Sequence, residues 1–158
     1  MTRSRFNPEG HQAGREETLM NARHTRLIEC FRGDQLRTYS LGEVDAMGLS
    51  ARSADLLTMV GLPRRRGPYF VATDLVPAGM RGSRPAAVHR GSLVRVGVCN
   101  QASFVVDVIS DALWFVAPES PSGQRPPRGP VRFVNSHLDT YLECLCRARP
   151  VLERQPYE

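Results

Sequence analysis

The chain has 158 residues, of which 41% are hydrophobic, and a formal net charge of +5 at pH 7. That length suits one domain with its own hydrophobic core, and no apolar run approaches the roughly 20 residues needed to cross a membrane. The first residues carry charges with no apolar segment after them. We therefore expect no signal peptide, no membrane association and a cytoplasmic location.

The basic residues, 21 in number, are all arginines. Two explanations remain open: the codon usage of a GC-rich genome, or recognition of acidic groups or phosphate by arginine. Seven arginines lie between Arg64 and Arg95, where Asp74 is the only acid. This basic middle suits an acidic surface or phosphate, but no nucleic-acid-binding motif or set of stacking aromatics accompanies it.

The four cysteines, Cys30, Cys99, Cys144 and Cys146, include no C-x-x-C pair. Cys144 and Cys146 lie two residues apart on a predicted helix, about 200° around its axis, so they point to opposite sides. Zinc ligation and a disulfide framework are therefore not expected. We interpret the cysteines as reduced, mostly buried thiols.

A flexible lead-in and a first helix are predicted at the N-terminus. Residues 1–14 contain proline, glycine and scattered charges with little apolar material, which is typical of a flexible segment. Over 16–31 apolar residues recur with helical spacing, and acidic residues lie in the first turn. A short strand over 36–39 follows, and then a helical turn that starts at Ser40 and is closed by Gly48.

Another helix, over 51–60, ends in the sequence Gly61-Leu62-Pro63. Ser50 is its predicted N-cap. Glycine supplies the left-handed position after the helix, and proline prevents the helix from continuing.

A compact group of arginines follows directly after this motif. Two interpretations are open: a solvated loop, or a contact surface for an acidic partner, because guanidinium groups pair with carboxylates in a bidentate way. More arginines lie in the proline- and glycine-rich stretch 77–91, which is predicted to be a long exposed loop. The candidate partner-binding residues are Arg64, Arg65, Arg66, Arg81, Arg84 and Arg90.

Strands are predicted over 69–76, 93–99, 104–109 and 112–116 from their β-branched and alternating apolar residues. Short turns join the last three, which predicts an antiparallel meander. Trp114, the only tryptophan, is interpreted either as a buried core residue or as a binding hot spot.

A proline-rich stretch over 118–130 is predicted to be a second long loop. After it, Val131 and Phe133 face the same side of a short strand. Asn135 and Ser136 then supply side chains that could cap a helix.

The predicted C-terminal helix has one apolar stripe, at positions i, i+3, i+4 and i+7. Its members are Leu138, Tyr141, Leu142 and Leu145. Pro150 is predicted to end this helix, which leaves residues 151–158 as a tail.

No sequence motif indicates catalysis. Glycine-rich phosphate loops, H-E-x-x-H and G-x-S-x-G are absent, and the four histidines are dispersed. Cys99 remains open as a nucleophile activated by a distant histidine, although its place among valines favours an inert thiol. Asp107 lies either near the core or on a wet face, and we assign it no catalytic role. We therefore expect a protein that is not an enzyme and that uses no cofactor and no metal.

The order of these features resembles the SUKH superfamily, most closely its fourth family of bacterial immunity proteins. A G-L-P motif after a helix and the sequence F-V-N-S-x-L near the C-terminus carry the resemblance, which covers about 36–147. The matching positions, which we interpret as structural, are Gly61, Leu62, Pro63, Phe133, Asn135, Ser136, Leu138, Tyr141 and Leu142.

The resemblance implies an α+β fold over 15–150, with a twisted, largely antiparallel sheet flanked by helices. It also implies a non-enzymatic protein that binds and neutralises a toxin domain, often a nuclease or a deaminase. Two alternatives stay open: an adaptor subunit of a larger bacterial assembly, and an arginine-rich nucleic-acid-binding protein. The net positive charge argues against an inhibitor that mimics phosphate with acidic groups.

Overall fold

The computed structural model describes residues 9–32, 35–67, 69–78, 92–117 and 131–152, with the backbone alone for 9–18 and 149–152. The helices are α1 (Glu9–Cys30), α2 (Leu41–Ala46), α3 (Ala51–Asp55), which continues as a π-helical turn (Leu56–Val60), and α4 (Leu138–Leu152). The strands are β1 (Leu36–Arg37), β2 (Leu62–Pro63), β3 (Arg65–Arg66), β4 (Phe70–Pro77), β5 (Leu93–Cys99), β6 (Ala102–Asp107), β7 (Leu113–Val116) and β8 (Val131–Asn135).

A six-stranded sheet in the order β3-β4-β5-β6-β7-β8 forms the centre of the fold. Each neighbouring pair is antiparallel, so the chain passes from strand to strand in sequence order and the predicted meander is confirmed. Strands β1 and β2 form a separate antiparallel pair. The predicted α+β fold, with an antiparallel sheet and flanking helices, is therefore confirmed.

The main hydrophobic core lies on the face of the sheet that α1, the π-helical turn and α4 cover. Phe104 on β6 lies among aromatic rings, with its ring centroid 5.3 Å from those of Phe70, Phe115 and Tyr141. Leu142 of α4 is fully buried in the same cluster. Burying a side chain of this size stabilises the fold by about 1.5–3 kcal/mol, so this face holds the helices in place.

A smaller apolar cluster lies on the opposite face, because successive residues of a strand point to opposite sides of the sheet. Leu93, Val105, Ala112 and Trp114 are buried there. Trp114 is only 7% exposed, in agreement with its interpretation as a buried core residue. Its ring meets that of Phe133 edge-on at 5.5 Å between centroids.

The predicted N-cap Ser50 and the predicted helix start at Ser40 are confirmed, and Ser40 is an N-cap as well. The Ser40 hydroxyl accepts a hydrogen bond from the backbone N–H of Glu43, and the Glu43 carboxylate accepts one from the Ser40 N–H at 2.8 Å, a complete capping box. The Ser50 hydroxyl accepts from the Ser53 N–H at 3.1 Å at the start of α3. Both caps satisfy N–H donors that have no partner within the helix.

Gly61 ends the π-helical turn with φ of +84° and ψ of −173°, a backbone conformation that essentially only glycine adopts. A Cβ atom at this position would lie 2.4 Å from the carbonyl oxygen of Arg37. The glycine therefore also lets β1 approach the chain closely, and Leu62 and Pro63 pair with β1 as strand β2. The motif thus ends the helix, as predicted, and also builds the first strand pair.

The helix α1 begins at Glu9 rather than at Glu16. Its first turns therefore fall within the segment 1–14 that the sequence predicted to be flexible, while residues 1–8 lie outside the described part of the chain. The two long loops predicted over 77–91 and 118–130 also fall almost wholly outside the described residues.

The predicted N-cap role of Asn135 and Ser136 is wrong, because α4 begins only at Leu138. The Asn135 side-chain oxygen accepts instead from the Ser136 backbone N–H at 2.8 Å, before the helix starts. The helix also continues two residues past Pro150. Pro150 removes one hydrogen bond of the helix because it has no N–H, but only two helical residues follow it, so the effect is confined to the helix end.

The interpretation of all four cysteines as reduced, mostly buried thiols is also wrong. Cys30 at the end of α1 and Cys146 on α4 form a disulfide, with their Cα atoms 6.0 Å apart. The two residues are 116 positions apart in the chain, so only the packing of α1 beside α4 brings them together. Of the other two cysteines, Cys144 is exposed and Cys99 is half-buried.

Candidate partner-binding surfaces

The arginines after the G-L-P motif do not form one exposed cluster. They were predicted to lie in a loop or a contact surface, but Arg65 and Arg66 form the edge strand β3, so their side chains point to opposite sides. Arg64 and Arg65 are exposed. Arg66 is only 7% exposed and its guanidinium lies 6.0 Å from the ring centroid of Phe31, a cation–π contact. Arg66 is therefore not available to a partner.

Among the described residues, Arg64 and Arg65 are thus the exposed part of the predicted arginine surface. The other candidates, Arg81, Arg84 and Arg90, lie outside the described residues. Arg65 lies on the edge strand β3, which also presents backbone groups to a partner. The backbone of Arg64 does not, because its N–H donates to Gln35 and its C=O accepts from Ala72.

The residues of the C-terminal motif divide between core and surface. Leu138 and Leu142 are buried, and Tyr141 is half-buried against Phe104, so burial raises the pKa of its hydroxyl. Phe133, by contrast, is 58% exposed on β8. Asn135 is half-buried and Ser136 is exposed. In the earlier motif, Gly61, Leu62 and Pro63 are all buried.

A buried carboxylate, that of Asp139, joins three helices. Its side chain is 2% exposed, and its Oδ2 accepts from Arg23 Nη1 at 2.6 Å and from Arg52 Nη2 at 2.8 Å and Nε at 3.1 Å. Its Oδ1 accepts from the Thr140 N–H at 2.7 Å. Arg23 also pairs with Glu143 at 2.8 Å. These contacts fix α1 and α3 against the start of α4.

Two opposing effects act on the pKa of Asp139. Desolvation raises it, but the hydrogen bonds and charges of Arg52 and Arg23 outweigh desolvation and bring the pKa below its usual value. The same carboxylate and Glu143 raise the pKa of Arg23 against the lowering effect of its own desolvation. Both shifts favour the charged forms of Asp139 and Arg23.

A groove of about 730 Å³ opens beside this network, between α1 on one side and α3 and α4 on the other. The wall from α1 carries Leu19, Ala22, Arg23 and Arg26, which recur at i, i+3, i+4 and i+7 and so share one helix face. Leu19 is 64% exposed. We call this feature the α1/α4 groove.

The opposite wall of the α1/α4 groove carries Arg52 of α3 and Glu143 and Arg147 of α4. Among the lining residues that the structure describes, these two arginines and the two of α1 give four guanidinium groups, and the carboxylates of Asp139 and Glu143 balance two of them. The described lining is therefore positively charged. The groove was not predicted from the sequence, although one helix face shared by Leu19, Ala22, Arg23 and Arg26 indicates its α1 wall.

A second polar cluster, around Asp111, has the geometry of a structural contact and not that of a catalytic site. Asp111 Oδ1 accepts from the hydroxyls of Ser50 and Ser53, each at 2.7 Å, and its Oδ2 lies 3.3 Å from His137 Nδ1. The residue types are those of a serine hydrolase, but the serines donate to the carboxylate, whereas catalysis needs a serine that donates to the histidine. The cluster ties the β6–β7 turn to the starts of α3 and α4.

Asp107 also has a structural role. It is fully buried at the end of β6, and its Oδ1 accepts from the Ser92 hydroxyl and from the Ile109 N–H, each at 3.0 Å.

Burial raises the pKa of the Cys99 thiol, which disfavours the thiolate that a nucleophile needs. Within the described ranges, no group of three or more metal-binding side chains occurs, and no helix is long and apolar enough to span a membrane.

Comparison with known proteins identifies the family. The model of the SUKH-4 immunity protein family matches residues 22–155, a longer stretch than the 36–147 over which the sequence motifs show the resemblance. The match takes in the part of α1 that carries the groove arginines and the whole sheet. No curated protein and no solved structure matches the chain. By its family match, its two motifs and its fold, this chain belongs to the SUKH-4 immunity protein family.

Proposed function

We propose that this protein neutralises a bacterial toxin domain by binding it directly, without catalysing a reaction. The observation that carries the proposal is the family match over 22–155. In this proposal the motif residues hold the scaffold, and the partner contacts arginines and loops on its surface.

The proposed toxin is a nuclease or a deaminase, and the proposed mode of inhibition is steric. An inhibitor that occupies a nucleic-acid site by mimicking phosphate needs acidic groups, whereas this chain carries a net charge of +5. A positively charged protein fits an acidic surface next to the active site of the toxin better than it fits the active site itself. Bound there, it would block access of a large substrate.

The exposed Arg64 and Arg65, with Arg81, Arg84 and Arg90, remain proposed contacts for such a surface. Arginine pairs with carboxylates through two parallel hydrogen bonds, which favours specific recognition of an acidic partner. We further propose that the protein acts in the cytoplasm, where the substrates of such toxins are.

Growth rescue tests the proposal. The candidate toxin is the domain encoded by the gene directly upstream in the native genome, expressed from an inducible promoter in a susceptible host. Co-expression of this protein should restore growth, and the Leu142→Asp variant, with its core disrupted, should not. Continued killing in the presence of the folded protein, or a genome with no toxin gene beside this one, would count against immunity and favour an adaptor role.

A further inference from the structure

We propose that the α1/α4 groove is the site that holds the toxin, by taking an acidic segment with two or more carboxylates around one apolar side chain. This inference rests on the proposed function and specifies the surface and the chemistry of the partner. It places the main contact on residues of α1, α3 and α4 rather than on Arg64 and Arg65, which the sequence indicated.

Two guanidinium groups in the groove are free to bind. Arg26 of α1 and Arg147 of α4 are exposed, and neither makes an ion pair with another described residue. They lie on opposite walls of the groove. A pair of carboxylates on one partner segment could therefore reach both walls at once.

The other two guanidinium groups are held in fixed positions. Arg23 and Arg52 both bind the buried Asp139, and Arg23 also binds Glu143. Each guanidinium has five N–H donors, of which these contacts use two apiece. The remaining donors are already oriented, so a partner carboxylate that binds them loses little extra freedom on association.

The lining favours a protein over a nucleic acid. Leu19 and Met20 add apolar surface to the groove, and none of its described lining residues is an aromatic on which a base could stack. An acidic, amphipathic protein segment matches both the charge and the apolar contacts.

A pair of charge-reversal variants tests the inference. The groove variant is Arg26→Glu with Arg147→Glu, and the matched control is Arg32→Glu with Arg132→Glu, which changes the net charge by the same amount at two arginines that belong to no proposed contact. All four side chains are exposed, so both variants should keep the wild-type urea midpoint. Affinity for the purified toxin domain encoded upstream, made catalytically inactive, is measured by titration calorimetry.

We expect the groove variant to bind the toxin domain roughly 100-fold more weakly, the scale of two lost charge pairs, and the control to stay within about fivefold. Loss in the control with none in the groove variant would overturn the groove assignment while leaving the immunity function intact. Failure of the wild-type protein to bind the toxin domain at all would instead refute the proposed function.

Labelled 20-base-pair DNA and RNA duplexes provide the other arm of the test. We expect no binding that depends on the groove. Duplex binding that weakens steeply with salt and disappears in the groove variant, with toxin affinity unchanged, would assign the groove to nucleic acid and overturn the inference.

Discussion

Replacement of Asp139 by asparagine should destabilise the protein by about 3 kcal/mol. The carboxylate is 2% exposed and binds two arginines, and removal of one partner from a buried ion pair typically costs about 3–5 kcal/mol. The arginine side chains are each 34% exposed, so water can solvate them after the change. The expected loss is therefore at the lower end of that range.

Urea unfolding measures this loss, with the fluorescence of the single, buried Trp114 as the probe. The matched control is Glu143→Gln, which removes one ion pair of Arg23 at 2.8 Å from a less buried carboxylate and should cost less than about 1 kcal/mol. Equal losses for the two variants, or a loss below about 1 kcal/mol for Asp139→Asn, would refute the view that this carboxylate fixes the three helices.

The same variant has a pH signature. The folded-state pKa of Asp139 is lowered. Its contribution to stability is therefore fully present above the unfolded-state pKa of about 3.8 and is lost as the pH falls through the lower folded-state pKa. The difference in unfolding free energy between wild type and Asp139→Asn should therefore be constant near neutral pH and shrink below about pH 4. A difference that persists unchanged in acid would contradict the ion-pair explanation.

Three further substitutions test the fold. Gly61→Ala should lower the free energy of unfolding in urea by about 2–4 kcal/mol, because the positive φ of Gly61 and the nearby β1 carbonyl oxygen exclude a Cβ. The control Gly42→Ala, with open space around the glycine, should be neutral or slightly stabilising. Leu142→Asp should lower the melting temperature strongly, since it removes about 2–5 kcal/mol of packing and buries a charge; an unchanged melting temperature would contradict its core position. Cys30→Ser should destabilise the oxidised protein by up to about 4–5 kcal/mol, an effect that reducing agent abolishes and that Cys144→Ser does not reproduce.

Local features of the fold could be predicted from the sequence because their causes are local. The caps at Ser40 and Ser50 depend on side chains within three residues, and the meander follows from alternation along short, closely spaced strands. The position of Gly61 could be predicted as a helix end, but its second role could not, since that depends on the approach of β1 from elsewhere in the chain.

Features that depend on helix packing could not be predicted in the same way. The partners of Asp139 lie 116 and 87 positions away in the chain, so no local sequence pattern indicates them. The disulfide of Cys30 with Cys146 has the same origin. Strand alternation explains why Arg66 is buried beside the exposed Arg65. The burial of Arg66 could not be predicted, because the sequence indicated a loop or contact surface at this segment and not a strand. The α1/α4 groove likewise exists only once three helices are packed together.

Direct titration of the purified protein with the inactive toxin domain encoded upstream tests the central claim, that this member of the SUKH-4 immunity protein family acts by binding a toxin. We predict a one-to-one complex with a dissociation constant below about 1 μM, and loss of activity of the wild-type toxin domain at the same stoichiometry. No detectable binding, or full toxin activity in the presence of saturating protein, would contradict the account.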